Sequence, residues 1–200
     1  PGKASLVRVE GNHFRIENGF VKDATRHGIL ATARGKNGGD RRDGVIRNIT
    51  ARNINRDGVS LEGSTHGEYE VRNIIVENVK AYQSRDRGAA EVCDGGNNVV
   101  FRDIYAKNCS YGVDVQDHKR RNTANRNIRI QGVHVNDCKM AVQTGNSAKN
   151  DHRNLTIRDV TRDGDKAGLS VSNTKGVTLD NIRIPNDNIS IKNCSDVLRQ

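Results

Sequence analysis

Apolar and polar residues alternate along this chain in short bursts, each opened and closed by Asn, Asp or Gly. The phrase reads His13-Phe-Arg-Ile-Glu-Asn18, Asp43-Gly-Val-Ile-Arg-Asn48, Asn73-Ile-Ile-Val-Glu-Asn78 and Asn98-Val-Val-Phe-Arg-Asp103. It continues as Asn127-Ile-Arg-Ile-Gln-Gly132, Asn154-Leu-Thr-Ile-Arg-Asp159 and Gly176-Val-Thr-Leu-Asp-Asn181. Nine or ten residues past the second Asn-type position comes another strand-like piece opened by Gly, as in Gly28-Ile-Leu-Ala, Gly58-Val-Ser-Leu, Gly112-Val-Asp-Val and Gly168-Leu-Ser-Val. Self-similarity returning about every 22 to 30 residues is the signature of a solenoid. The apolar pairs Ile74 and Val76, Val79 and Ala81, and Val113 and Val115 have the period of strands with one buried face. No copy holds an apolar stretch at helical spacing. The expected fold is all-β: a right-handed parallel β-helix solenoid of about seven coils, three short strands per coil, stacked about 4.8 Å apart. A single domain is expected over residues 1–200.

The bends support this reading. Asn48, Asn78, Asp103, Asp159 and Asn181 share one register, and Asn and Asp tolerate left-handed turns while bonding nearby backbone. An apolar content of 34% suits a narrow rod lined by small aliphatic side chains better than a globular core. Cys109, Cys138 and Cys194 each close the same phrase, so Cys109 and Cys138 are expected in adjacent coils, as a ladder of buried thiols or within disulfide reach. No Cys-x-x-Cys pair is present, which argues against a structural zinc site. No apolar run approaches the length of a membrane span, so no membrane partner is expected. The chain opens with Pro1-Gly2 rather than Met, as expected of a processed or truncated piece.

The net charge is +9, with basic and acidic residues interleaved. A basic rod attracts anions. Nucleic acid has no aromatic or motif support here, and an acidic polysaccharide fits an elongated groove better. The variable loops 35–43, 64–70, 118–125 and 147–152 all follow the Gly-opened strand and carry His, Lys or Arg, which marks that side as functional. Stacking its outward positions puts Glu91, Asp114, Gln143 and Ser170 in one solvent-facing column, with one extra residue allowed after Gly88, and Asp94, Asp117, Asn146 and Asn173 in the next. Glu91, Asp94, Asp114 and Asp117 have the oxygen chemistry to hold Ca²⁺. Paired carboxylates equally suit acid–base work on a glycosidic bond, because like charges raise one pKa.

The whole chain resembles the pectin lyase-like superfamily of parallel β-helices, which contains polysaccharide lyases, hydrolases, epimerases and phage tailspikes. Against the polygalacturonase-like hydrolases, Asn55-Arg56-Asp57-Gly58, Asp86-Arg87, Ser110-Tyr111-Gly112 and Val142-Gln143-Thr144 align with the motif positions. Asp57 and Asp86 match, whereas the second Asp, the His and the Lys are absent. Tyr111-Gly112-Val113-Asp114-Val115-Gln116-Asp117 resembles a segment of mannuronan epimerases and alginate lyases, with Gln116 in place of their His. Arg26-His27-Gly28 is similar to a segment of chondroitinase-type lyases. These resemblances imply an extracellular or cell-surface protein that cleaves or epimerises a uronate polymer. Tyr111, Asp114, Asp117 and His118 would be catalytic, with Asp57, Asp86, Glu91, Lys119, Arg120 and Arg121 binding substrate. The alternative is a non-catalytic structural or adhesive rod. Neither terminus shows a cap, so a fragment of a longer chain or end-to-end self-association is expected.

Overall fold

The computed structural model describes residues 4–33, 39–64, 68–118, 123–145 and 151–200. Among them, short and long strands alternate. The short strands are β1 (Val7–Val9), β3 (Ile29–Thr32), β5 (Val59–Glu62), β7 (Gly88–Cys93), β9 (Tyr111–Gln116), β11 (Met140–Gly145), β13 (Gly168–Ser172) and β15 (Ile189–Lys192). The long ones are β2 (Arg15–Lys22), β4 (Arg41–Arg52), β6 (Val71–Tyr82), β8 (Gly96–Lys107), β10 (Arg126–Asn136), β12 (His152–Asp163), β14 (Thr174–Ile182) and β16 (Ser195–Arg199). Each set stacks in chain order as one eight-stranded sheet, and the pairings are parallel throughout, for example β4 with β6 and β7 with β9. The molecule is a parallel β-solenoid. No helix among the described residues is long and apolar enough to cross a membrane.

The expected three short strands per coil become two. The phrase between Asn-type positions is real, but its ladder runs on through the bends. β6 shows why. Its buried residues are Val71, Ile74, Val76, Val79 and Ala81, so the inward step is three residues, then two, then three, then two. The three-residue steps contain Asn73 and Asn78, which have φ of 54° and 49°. A left-handed residue turns the chain while the strand continues, the pairing skipping only the bend residue itself, and the inward positions slip by one at each bend. His13, Asn18, Asp43, Asn48, Asn98, Asp103, Asn127, Asn154, Asp159 and Asn181 adopt the same conformation. Gly132 and Gly176 replace Asn at equivalent bends with φ of 69° and 74°.

Side-chain amides tie these bends together. Asn78 Nδ2 donates to Asn48 Oδ1 at 2.9 Å, and Asn48 Nδ2 to Asn18 Oδ1 at 2.8 Å. Asn73 donates to Asp43, and Asn98 to Asn73, both at 3.0 Å. Inside lies a continuous rod of Val, Ile, Leu and Ala with Phe101 its largest fully buried side chain. None of the four cysteines forms a disulfide. The Cys109 thiol instead donates to Lys107 O at 3.3 Å, and the Cys138 thiol to Ala106 O and Asn136 O, both at 3.5 Å.

Candidate functional site

The short-strand sheet carries the chemistry on its outer face. Parallel pairing aligns Leu30 with Ser60, Ser60 with Glu91, and Glu91 with Asp114. Asp114 then pairs with Gln143 and Gln143 with Ser170. The column read from the sequence is therefore present, including the extra residue after Gly88. Its environment differs from the expectation. Glu91 is 0% and Asp114 2% exposed, and Ser60, Asp94 and Asp117 are buried with them. These groups do not face solvent.

The burial reflects a polar cluster that crosses several coils. Tyr111 opens β9 opposite Gly88, where an added Cβ would sit 2.1 Å from the tyrosine ring and 2.3 Å from its carbonyl oxygen. The missing side chain lets the ring lie back across that coil. Its hydroxyl then donates to Asp57 Oδ1 at 2.7 Å, so Tyr111 is oriented by Asp57. Glu91 accepts from Ser60 Oγ at 2.8 Å and is also held by Arg87 and by Gln116 Nε2. His27 lies 3.2 Å from Asp57 Oδ2 and 3.4 Å from Glu62 Oε1. These contacts are off the hydrogen-bond direction, and both ring nitrogens and Asp57 Oδ2 lack a hydrogen bond. One ligand-type atom from each of His27, Asp57 and Glu91 falls within 4.8 Å of the other two.

Crowding carboxyls out of water sets their protonation. Burial, reinforced by the charge of Asp57, pushes Glu91 up to about 7. Burial and then Glu91 push Asp114 well above the carboxylate range. Tyr111 is raised by burial and by Asp57, so its phenol stays protonated. Burial would lower His27, but the carboxylates of Asp57 and Glu62 more than offset this and hold it above its usual value.

A second group lies in the neighbouring column. Asp94 turns with φ 58°, and its carboxylate accepts from the His118 amide at 2.9 Å and faces His118 Nδ1 at 2.9 and 3.0 Å. Burial, with Asp94 adding to it, raises Asp117 to about 7. The four carboxylates expected to hold one Ca²⁺ are thus divided between two groups, and Arg87 already neutralises Glu91 in the first. Asp86 is exposed and accepts from Asn55 Nδ2 at 3.3 Å. Lys119, Arg120, Arg121 and Asn146 lie outside the described residues, as do parts of all four variable loops.

Sequence reasoning missed Arg87, Ser60 and the clamping role of Gln116. Arg87 had a usable signal: His27, Asp57 and Arg87 each immediately precede the Gly that opens a short strand or its approach, Gly28, Gly58 and Gly88. At this corner lies an open cleft of about 430 Å³ lined by Arg26, Asn55, Arg56, Asp86 and Arg87. Arg87 belongs to both features, lining the cleft and touching Glu91.

The described architecture is that of a parallel β-solenoid with a buried acid-rich cluster beside an arginine-lined cleft. Among solved structures, the chain is similar to the catalytic domain of GH87 α-1,3-glucanase in complex with nigerose, and to an alanine variant of that domain in the same complex. Each likeness has 12% identity and a TM-score of 0.41, and covers 94% of this chain. The chain spans about half the length of these structures, 48% of each. No protein-family model matches the chain, and a comparison with curated proteins found no match.

Proposed function

We propose that this protein is a carbohydrate-active β-solenoid that binds an acidic, uronate-type polysaccharide at the arginine cleft and acts on it with the cluster behind. The observation that carries this reading is the position of Arg87 between the two. A sugar carboxylate entering the cleft meets the guanidiniums of Arg26, Arg56 and Arg87, whose planar forks suit carboxylates. Drawing Arg87 outward removes the cation that holds Glu91 and opens the route to a carboxyl that is otherwise closed off.

The chemistry these groups fit is proton transfer at C5 of a uronate, with the neutralised sugar carboxylate making that proton removable. Glu91 is the base that takes the C5 proton. In elimination, the C5–H electron pair forms the C4–C5 double bond while the C4–O bond breaks, and Tyr111, kept protonated by burial, supplies the proton to the departing oxygen. In epimerisation, Tyr111 returns a proton to the opposite face of C5. A protein of this kind works outside the cell or at its surface, and that placement belongs to the same proposal.

Full burial of Asp57, Glu91 and Asp114 favours a second reading, a non-catalytic rod in which the network fastens neighbouring coils. Titration calorimetry with oligogalacturonates and oligomannuronates separates them. The first reading expects salt-sensitive binding that Arg56→Gln weakens at least tenfold, without loss of folding. Absence of binding by the folded protein to either oligomer would favour the rod.

A further inference from the structure

We infer that Cys93, Asp94 and His118 form a binding site for a transition-metal dication of the zinc class, with Asp117 next to His118 in the chain. This site is independent of the polysaccharide reading. Cys93 ends β7 and Asp94 follows it in a left-handed turn, while Asp117 and His118 follow β9 one coil on. The Asp94 amide donates to Gln116 O at 3.2 Å, and Gly63 donates to Cys93 O at 2.9 Å. Gly63 is required for this packing, since a Cβ there would sit 1.8 Å from Asp94 O. These backbone contacts fix the turn that aims the Asp94 carboxylate at His118.

One ligand atom from each of Cys93, Asp94 and His118 lies within 4.8 Å of the other two. Bonds of about 2.0–2.3 Å to a tetrahedral zinc set ligand atoms about 3.3–3.8 Å apart, so a small contraction closes the site. Asp117 supplies the independent observation. It is 4% exposed, and neither of its carboxylate oxygens has a hydrogen bond. A buried carboxylate without partners carries a large desolvation cost that a nearby cation removes. Of the charged groups, Asp94 and His118 act most on this carboxylate.

The donor types select the metal. A thiolate and an imidazole beside a carboxylate suit zinc or cobalt(II), whereas Ca²⁺ and Mg²⁺ take oxygen alone. The His118 side chain is 37% exposed, which leaves the site open to solvent for entry of the ion. In the structure His118 Nδ1 faces the Asp94 carboxylate directly, and the ion would come between them.

Cobalt(II) gives a direct test, because a thiolate ligand produces a charge-transfer band that oxygen and nitrogen ligands do not. The full chain, stripped with chelator, is titrated with Co²⁺ and followed by absorbance, with bound metal counted after dialysis. The site predicts one equivalent bound with a charge-transfer band that Cys93→Ser removes, although Cys109, Cys138 and Cys194 remain. His118→Gln, at a partly exposed position where the fold is not at risk, is predicted to weaken Co²⁺ at least tenfold. Zn²⁺ should displace Co²⁺, and a hundredfold excess of Ca²⁺ should not. No bound Co²⁺, a band unchanged in Cys93→Ser, an affinity unchanged in His118→Gln, or displacement by Ca²⁺ would each overturn the assignment.

Discussion

Glu91 offers the sharpest probe of the buried cluster, because replacing it should stabilise the protein at one pH and not at another. In the unfolded chain its carboxyl titrates near 4.5, and in the fold burial beside Asp57 moves it to about 7. The folded state therefore binds more protons than the unfolded state across that interval, so stability falls as pH rises through it. At about 1.4 kcal/mol for each tenfold change in proton affinity, moving from 4.5 to about 7 corresponds to about 3 kcal/mol, absent at pH 4.5 and fully felt by pH 8. Glu91→Gln mimics the protonated acid. It keeps an acceptor oxygen for Arg87 and Gln116, its amide can donate to Ser60 Oγ, and it has nearly the same volume and cannot ionise. Asp114, whose upward displacement owes part of its size to Glu91, should relax in the same direction. Urea unfolding with chelator present, followed at pH 5 and pH 8, reads the difference. The variant should match the unsubstituted protein within about 1 kcal/mol at pH 5 and exceed it by about 2–3 kcal/mol at pH 8. His27 and His118, both held above their usual values, lose their contribution as pH rises in both proteins and cancel from the comparison except for the smaller part each owes to Glu91. A variant destabilised equally at both pH values would show that the Arg87–Glu91 pair outweighs the cost of burial, and would refute this reasoning.

Gly88→Ala should force the Tyr111 ring off Gly88 and break its bond to Asp57, costing about 3–5 kcal/mol from overpacking and the lost charged hydrogen bond; thermal unfolding that moves by less than the equivalent of about 1 kcal/mol would argue against the crossing. Asn78→Ala should cost about 1–2 kcal/mol, since it puts a β-carbon at φ 49° and removes the amide link to Asn48. Lys80→Ala, at an exposed position two residues on, should change stability by less than about 0.5 kcal/mol. In native protein, iodoacetamide read by mass spectrometry should modify Cys194, which is partly exposed, while the buried Cys93, Cys109 and Cys138 react only after unfolding.

Much of the solenoid was legible because one residue type sets each bend. Asn and Asp at five-residue intervals dictate both the left-handed turns and the two inward apolar positions between them, so alternation and punctuation point to the same coil. The division into three strands was misread for a related reason: side-chain pattern records a change of direction, but hydrogen-bond continuity through Asn73 and Asn78 belongs to the backbone. The carboxylate columns were legible too, as register arithmetic. Their burial was not, because outward-facing strand positions are ordinarily wet, and what closes over Glu91 and Asp114 depends on residues from other coils. Tyr111 was singled out by its neighbours in sequence, whereas its partner Asp57 lies 54 positions away. Arg87 left only its place before Gly88 in the sequence, and its role comes from the corner it shares with Arg26 and Arg56 and from its contact with Glu91.

The most direct test of the account is turnover of a uronate polymer by the protein and by its Glu91→Gln variant, with folding checked by circular dichroism. Polygalacturonate and alginate are offered separately. Ultraviolet absorbance of new unsaturated ends reports elimination, and proton NMR of the polymer reports epimerisation. The account predicts product from at least one polymer, and none from Glu91→Gln, which still binds the oligomers. Folded protein that yields neither product from either polymer, or a Glu91→Gln variant that turns over at the unsubstituted rate, would contradict it.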